Sequence, residues 1–171
     1  QLGDLVYGEN DQSLEVVLGE LLRDRGLTVA TAESCTGGYV AHRITGIAGS
    51  SDYFKGSIVA YANEVKLGVL GVQAATLAEH GAVSEATVKE MVIGARRVLS
   101  TDIAIAISGI AGPGGGSPEK PVGTIWMAVG NEERTETFKL QAGKDRLKNI
   151  EYAGNYALNF MRKFVLKYYT S

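Results

Sequence analysis

The spacing of apolar residues along the chain predicts a regular alternation of helices and strands. Short apolar runs typical of buried strands lie at 27–32, 56–61 and 102–108. Two more strand-like runs, 123–129 and 133–140, flank Gly130-Asn131 and predict a hairpin. Apolar residues at helical spacing predict six helices, over 14–25, 36–47, 63–70, 73–80, 84–99 and 144–166.

This order of elements favours an α/β fold. Helices that alternate with strands indicate parallel pairing, since parallel neighbours need a crossover connection. The C-terminal hairpin then adds one antiparallel strand. We therefore predict a three-layer α/β/α sandwich with a mostly parallel sheet. Ligands of such sheets bind beyond the carboxyl ends of the parallel strands, so the segments that follow the first three strands should meet at one edge.

Composition and charge narrow the class of protein. The 171 residues are 45% apolar and 21% charged, with a net charge of −2, which predicts a globular domain without general affinity for nucleic acid or anionic membranes. No apolar run reaches the length of a membrane span, and the single Cys35 cannot form an internal disulfide, so we expect a cytoplasmic protein. Two histidines, one cysteine and no clustered carboxylates predict neither a metal site nor a cofactor.

The first ten residues differ from the rest of the chain. The sequence begins with Gln1, and residues 1–10 read as a linker or a residual strand from an N-terminal domain. We expect residues 11–171 to form one domain that was part of a longer protein.

Ser34 is the leading candidate nucleophile. It lies within Thr-Ala-Glu-Ser-Cys-Thr-Gly-Gly, where the first strand ends and a helix is predicted to begin. A serine hydroxyl needs a base, and neither His42 nor His80 suggests a catalytic triad. Lys66, one helical turn beyond the second strand, is the better base because burial lowers the pKa of an amine. The alternatives are that Ser34 only caps a helix and that Lys66 is a solvated surface residue.

Four neighbouring residues are secondary candidates. Tyr61 is a candidate to hydrogen-bond the nucleophile, relay a proton or stack on a substrate ring, and its alternative is a strand aromatic at the rim. Cys35 is an alternative nucleophile, because a helix N-terminus lowers the pKa of a thiol, or else a small packing residue. Glu33 and Glu64 are candidates to orient the lysine, or are charges near a helix start.

The loop after the third strand is long and rich in glycine. It runs from Gly109 to Pro121 and matches neither a Walker A loop nor a dinucleotide fingerprint. Backbone N–H groups around Gly109, Gly112 and Gly114 are candidate donors to a phosphate or an oxyanion, and the alternative is a mobile surface loop. Arg146, near the start of the last helix, is a candidate phosphate ligand or a solvated arginine.

These motifs, and the order in which they follow one another along the chain, resemble those of the CinA C-terminal domain family. The resemblance covers most of the chain from about Asp11, and its motifs lie at 31–38, 49–51, 61–66, 80–85 and 108–124. It implies a three-layer sandwich with a five-stranded mixed sheet and self-association into a homo-oligomer. In full-length members of the family, an N-terminal domain that resembles molybdopterin-binding proteins precedes this one.

The family includes bacterial nicotinamide-nucleotide amidases, which are described as Ser/Lys amidohydrolases. The resemblance therefore implies that a pyridine mononucleotide is the partner. It implies hydrolysis of nicotinamide mononucleotide to nicotinic acid mononucleotide and ammonia, in pyridine nucleotide salvage. In that reaction Ser34 is the nucleophile, Lys66 is the base and Tyr61 assists.

The resemblance also implies which groups bind the substrate. Backbone groups near Thr36, Gly37 and Gly38 hold the oxyanion. Arg146 binds the 5′-phosphate, although the turn before it reads Gly-Lys-Asp-Arg, with one residue more than the family pattern.

Two other functions stay open from the sequence. One is a non-catalytic nucleotide-binding or assembly domain of a competence- and damage-inducible protein. The other is a deamidase for a different pyridine or nucleoside amide. The presence of both a serine and a lysine at the matched positions favours an enzyme over the binding domain.

Overall fold

The computed structural model of the protein describes residues 12–170, and the predicted linker at 1–10 lies outside that range. Five strands form one sheet: β1 (Val29–Glu33), β2 (Phe54–Val59), β3 (Ile103–Gly109), β4 (Thr124–Gly130) and β5 (Thr135–Gln141). Six α-helices surround it: α1 (Leu14–Asp24), α2 (Tyr39–Thr45), α3 (Asn63–Gly68), α4 (Ala74–His80), α5 (Glu85–Leu99) and α6 (Arg146–Tyr168).

The sheet is mixed, with strand order β2-β1-β3-β4-β5. Strand β1 pairs in parallel with β2 and β3, whereas β4 is antiparallel to both β3 and β5. Within residues 12–170, four strands thus run in one direction and β4 runs in the other. Helices α1, α2 and α6 pack on one face, and α3, α4 and α5 pack on the other. The predicted three-layer sandwich with a five-stranded, mostly parallel sheet is confirmed.

The two faces of the sheet bury side chains of different size. On β3, Ile103, Ile105 and Ile107 point toward the layer of α1, α2 and α6, while Ala104 and Ala106 point toward α5. Successive strand residues alternate between faces, so one apolar run serves both cores. The small alanine side chains let α5 lie close to the sheet, and that helix contacts all five strands.

The helix after β1 begins later than its sequence predicts. We expected it to span 36–47, but α2 covers only Tyr39–Thr45. Gly37 and Gly38 have φ angles of +59° and +97°, which turn the chain before the helix begins and which residues with side chains rarely adopt. Ser34 therefore lies in a turn ahead of α2 and does not cap it. The other predicted boundaries agree with the structure to within two residues.

The C-terminal helix α6 is amphipathic and starts at the edge of the sheet where the parallel strands end. Its buried side chains recur every three or four residues and include Ala157, Met161 and Phe164. The Asp145 side chain caps the helix by accepting a hydrogen bond from the Lys148 backbone N–H at 3.0 Å. Among residues 12–170, no helix combines the length and apolar character needed to cross a bilayer.

Gly94 lets α5 approach the segment that follows α3. A Cβ atom built on Gly94 would lie 1.9 Å from the carbonyl oxygen of Leu70, far inside van der Waals contact. Leu70 is buried and lies just beyond α3, the helix that carries Lys66. The glycine therefore sets how close α5 comes to the element that presents the lysine.

We expect Gly94→Ala to destabilise the fold, because the added methyl group overlaps a backbone carbonyl. The free energy of unfolding should fall by about 1–3 kcal/mol, the usual cost of overpacking. The control is Gly68→Ala in α3, where a built Cβ meets no atom within 4 Å. That variant should be neutral or more stable by up to about 1 kcal/mol. Urea denaturation measures both, and equal stabilities would contradict the packing argument.

Candidate active site

Ser34 and Lys66 meet at the edge of the sheet where the parallel strands end. The Lys66 Nζ atom lies 3.1 Å from the Ser34 Oγ atom. Ser34 follows β1 directly, and Lys66 lies in α3 just beyond β2, the neighbouring parallel strand. Ser34 is 8% exposed and Lys66 is 1% exposed, so the pair is shielded from bulk water. The sequence therefore brings a hydroxyl and an amine together through two adjacent strand exits.

The surroundings of Lys66 favour the neutral amine. Burial lowers the pKa of Lys66 below its ordinary value, and Cys35 beside it acts in the opposite direction with less effect. The Nζ atom donates hydrogen bonds to the Ala60 carbonyl at 2.7 Å and to the Tyr61 carbonyl at 3.4 Å. Two carbonyl acceptors can take the two N–H bonds of a neutral amine. As a neutral amine, Lys66 would have its lone pair free for the Ser34 hydroxyl, 3.1 Å away, which is the arrangement that a general base needs.

Backbone contacts hold the turn that carries Ser34. The Ser34 N–H donates to the Ile107 carbonyl at 2.9 Å, which extends the pairing of β1 with β3 by one residue. The Gly37 N–H then closes the turn by donating to the Ser34 carbonyl at 3.0 Å. The neighbouring Cys35 N–H donates to no other residue within 12–170. It is therefore a donor available to a bound molecule.

Ser34 opens into a cavity of about 270 Å³. The cavity is lined by Ser34, Cys35, Tyr61, Gly109, Ile110, Ala111, Gly112, Gly114, Gly115 and Arg146. The backbone N–H groups of Gly112, Gly114 and Gly115 donate to no acceptor in the described part of the chain. The glycine-rich loop thus presents unpaired donors to the same space that Ser34 faces.

Some residues predicted for this site are absent from the cavity wall. Thr36, Gly37 and Gly38 do not line it, because the turn carries them away toward α2. The structure instead places the Cys35 backbone at the position next to Ser34. The positive φ angles that end the turn were not anticipated from the sequence. The Gly37 N–H donates to the Ser34 carbonyl, and the role of Thr36 and Gly38 as oxyanion donors stays a prediction.

Arg146 bridges the two sides of the cavity. It is the first residue of α6, and its guanidinium donates to the Gly112 carbonyl at 2.7 Å and to the Tyr61 hydroxyl at 2.9 Å. Tyr61 is 60% exposed, and its hydroxyl contacts Arg146 and not Ser34. An exposed aromatic ring and a cation therefore lie at the rim of the cavity. Ser34 forms part of its wall, and Lys66 contacts Ser34 from outside the wall.

Comparison with known proteins identifies the family of this domain. Residues 11–165 match the CinA C-terminal domain. The chain belongs to the CinA C-terminal domain family. A CinA-like protein from Salinibacter ruber is 48% identical over 161 residues, which are 94% of this chain and 39% of that protein. A putative competence-damage inducible protein from Moorella thermoacetica is 54% identical over 75% of this chain and 31% of its own length. The chain thus spans about two fifths or less of these relatives.

Solved structures of CinA proteins share the fold. Competence damage-inducible protein A from Klebsiella pneumoniae has a TM-score of 0.87 and 39% identity, over 92% of this chain and 97% of that one. A CinA superfamily protein from Escherichia coli has a TM-score of 0.84 and 27% identity, over 96% and 98% of the two chains. In both cases the match to this domain covers nearly the whole of the solved chain. The CinA domain described here therefore corresponds to a folding unit seen in other proteins.

Glu33 does not orient Lys66 in this CinA domain. Its side chain is fully buried and accepts hydrogen bonds from the Thr36 hydroxyl and from the Val40 and Ala41 backbone N–H groups. These partners belong to the turn after Ser34 and to the first turn of α2. Glu64, the other acid considered for this role, is exposed. An acidic residue at the end of an apolar strand was the sequence signal that could have marked Glu33 as a buried group with partners of its own.

Cys35 lacks the properties of a reactive nucleophile. Burial raises the pKa of its thiol to about 12, so the thiolate is scarce at neutral pH. His42 and His80 are both exposed, and His80 lies near Glu79 on α4. Within residues 12–170, no group of three or more His, Cys, Asp or Glu side chains is arranged to hold a metal ion. Ser34 and Lys66 remain the pair with geometry suited to nucleophilic chemistry.

A larger cavity, of about 420 Å³, lies at the opposite edge of the sheet. Its three cationic side chains already have partners: Lys167 pairs with Glu136 at 2.6 Å, Arg134 pairs with Glu133 at 3.1 Å, and Arg96 donates to the Asp102 carbonyl at 3.1 Å. No candidate nucleophile and base meet there. The smaller cavity at Ser34 is therefore the candidate active site.

Because the pKa of Lys66 is lowered in the folded protein, we expect the free energy of unfolding to depend on pH. An unfolded chain binds the Lys66 proton up to about pH 10.4, whereas the folded protein releases it at lower pH. Between those two pKa values, wild-type stability should rise relative to Lys66→Met, by up to about 1.4 kcal/mol per pH unit. Below the folded pKa the difference should be constant. Urea denaturation from pH 6 to pH 10 tests this, and a difference that is flat throughout would show an unshifted lysine.

Proposed function

We propose that this domain is a Ser/Lys amidase that hydrolyses nicotinamide mononucleotide to nicotinic acid mononucleotide and ammonia. The observation that carries the proposal is the 3.1 Å contact between the buried Lys66 Nζ atom and the Oγ atom of Ser34, which lines a cavity. Membership of the CinA family supports it, since this family includes nicotinamide-nucleotide amidases.

In the acylation step, Ser34 Oγ attacks the carboxamide carbon while its proton moves to neutral Lys66. The Cys35 N–H, which has no other partner among residues 12–170, is the nearest candidate donor to the oxyanion that forms. Such a donor contributes about 3–4 kcal/mol to the transition state in other acyl-transfer enzymes. The C–N bond then breaks as protonated Lys66 returns its proton to the departing nitrogen, which leaves as ammonia.

In the deacylation step, water attacks the acyl-serine carbonyl and gives a proton to neutral Lys66. The C–O bond to Ser34 breaks, the serine recovers its proton from Lys66, and the acid product leaves. One lysine therefore acts as base and acid in turn, which requires a pKa below that of a solvated amine. No partner carboxylate is needed, because the two backbone carbonyls already orient Nζ.

The rim of the cavity suits a cationic mononucleotide. The exposed ring of Tyr61 offers an aromatic face to a positively charged pyridinium, an attraction of about 0.5–2 kcal/mol. Arg146 provides a guanidinium, and the unpaired N–H groups of the glycine-rich loop add neutral donors for phosphate oxygens. A ring at the serine and a phosphate at Arg146 would together span the cavity.

Removing either member of the pair should abolish ammonia release from nicotinamide mononucleotide. We expect Ser34→Ala and Lys66→Met each to lower kcat by at least about 10³-fold, as loss of a nucleophile or its base does in other hydrolases. Cys35→Ala should retain most of the activity, since its thiol is protonated at neutral pH. Folded wild-type protein that binds the nucleotide without releasing ammonia would favour the non-catalytic binding domain instead.

Arg146→Ala should weaken binding of the phosphorylated substrate. We expect KM for nicotinamide mononucleotide to rise about 10- to 100-fold, the effect of losing a charged hydrogen bond of about 1.5–3 kcal/mol. Hydrolysis of nicotinamide riboside, which lacks the phosphate, should change far less. Lys148→Ala is the matched control, because this exposed cation lies two residues further along α6. Equal losses with both substrates would place Arg146 in a role other than phosphate binding.

A further inference from the structure

Glu33 is a fully buried acid that the mechanism above does not use. It is the last residue of β1 and immediately precedes Ser34. The Glu33 side chain lies on the same face of the sheet as that of Thr31, the face that packs against α2. Lys66 lies in the helical layer on the other face. No ion pair to Glu33 occurs within the described residues. A buried carboxylate is costly, so hydrogen bonds must compensate for the water that it loses.

Four hydrogen bonds can reach the Glu33 carboxylate at once. Oε1 accepts from the Thr36 hydroxyl at 2.7 Å and from the Val40 N–H at 2.9 Å. Oε2 accepts from the Ala41 N–H at 3.0 Å. The Thr31 and Ser57 hydroxyls lie 3.2 and 3.3 Å from Oε2 and 2.6 Å from each other, so one of them donates to the other and only one donates to Oε2. The carboxylate therefore ties together the turn after Ser34, the first turn of α2 and the neighbouring strand β2.

The donor pattern requires a carboxylate at this position. Each Glu33 oxygen faces a backbone N–H, and a backbone N–H cannot reverse its role. A glutamine has nearly the same shape but one acceptor oxygen, so either orientation of its amide sets an NH₂ group against a backbone donor. An aspartate is one methylene shorter and cannot reach both donors from the same backbone position.

We propose that Glu33 is a positioning residue for Ser34. The inference rests on the proposed function, since it concerns the geometry of that nucleophile. The carboxylate anchors the turn that begins at Ser34 and so holds Oγ at hydrogen-bond distance from Lys66 Nζ. It also accepts hydrogen bonds from the Val40 and Ala41 N–H groups at the start of α2, which fixes the turn to that helix. Glu33 touches neither the substrate cavity nor Lys66.

The test compares Glu33→Gln with Glu64→Gln, an exposed acid in the helix that carries Lys66. Two readouts are used: kcat and KM for nicotinamide mononucleotide, and the rate at which a small alkyl fluorophosphonate labels Ser34. We expect Glu33→Gln to lower kcat and the labelling rate together by about 10²-fold, the effect of a misplacement of about 1 Å, with KM changed less than threefold. Glu64→Gln should leave kcat and labelling unchanged.

A second pair of variants tests the same contact where Glu33→Gln does not fold. Thr36→Val removes the hydroxyl that donates to Glu33 Oε1 but keeps the shape of the side chain, and Thr36→Ser restores the hydroxyl. We expect labelling to slow in Thr36→Val and to recover in Thr36→Ser, with both variants folded by circular dichroism.

The outcomes separate this inference from the proposed function. Wild-type labelling at Ser34 without ammonia release would reject the amidase, while slower labelling in Glu33→Gln would still support the positioning role. Wild-type kcat and labelling rates in Glu33→Gln would overturn it. Equal labelling in Thr36→Val and Thr36→Ser would overturn it as well, because the hydroxyl would then contribute nothing to the position of Ser34.

Discussion

The burial of one lysine beside a serine is the constraint on which the rest of this structure depends. An amine taken out of water loses hydration, and at neutral pH a lowered pKa destabilises the folded state whether the amine keeps its proton or releases it. Lys66 is 1% exposed and has two backbone carbonyls as partners in place of a carboxylate. Its position depends on the packing of α5 against Leu70, just beyond the helix that carries Lys66. The two approach so closely that only a glycine fits at position 94. The fold thus holds the amine in surroundings that lower its pKa, at a cost in stability.

The central sheet keeps the buried acid and the buried base apart. Glu33 leaves β1 toward α2, and Lys66 approaches from the layer of α5 on the opposite face. A carboxylate close to Lys66 would raise the pKa of the amine and oppose the role of general base that we propose for it. Backbone and hydroxyl donors satisfy Glu33 instead, so each group meets its own hydrogen-bonding needs. Ser34 lies at the strand end between them and is the point where the two arrangements meet.

Sequence patterns predicted the layers and the main pair but not the fine structure of the turn. Ser34 and Lys66 could be found because residues at the ends of adjacent parallel strands meet at one edge, whatever the details of the loops. The start of α2 was predicted three residues early, since periodicity does not report the positive φ angles of Gly37 and Gly38. The hydrogen bonds of Glu33 could not be predicted for the same reason. Its donors are positioned by the path of that turn, which residue spacing does not determine.

Arg146 already has partners in the structure, and their identity bears on how a ligand would bind. Its guanidinium donates to the neutral Tyr61 hydroxyl and to the Gly112 carbonyl. A phosphate would replace a neutral acceptor with a charged one, and arginine and phosphate can pair through two parallel hydrogen bonds. The exchange is therefore favourable even though a hydrogen bond is lost. It would free the Tyr61 ring to move against a bound pyridinium, so phosphate capture at the rim and orientation of the ring over Ser34 would be coupled through one side chain.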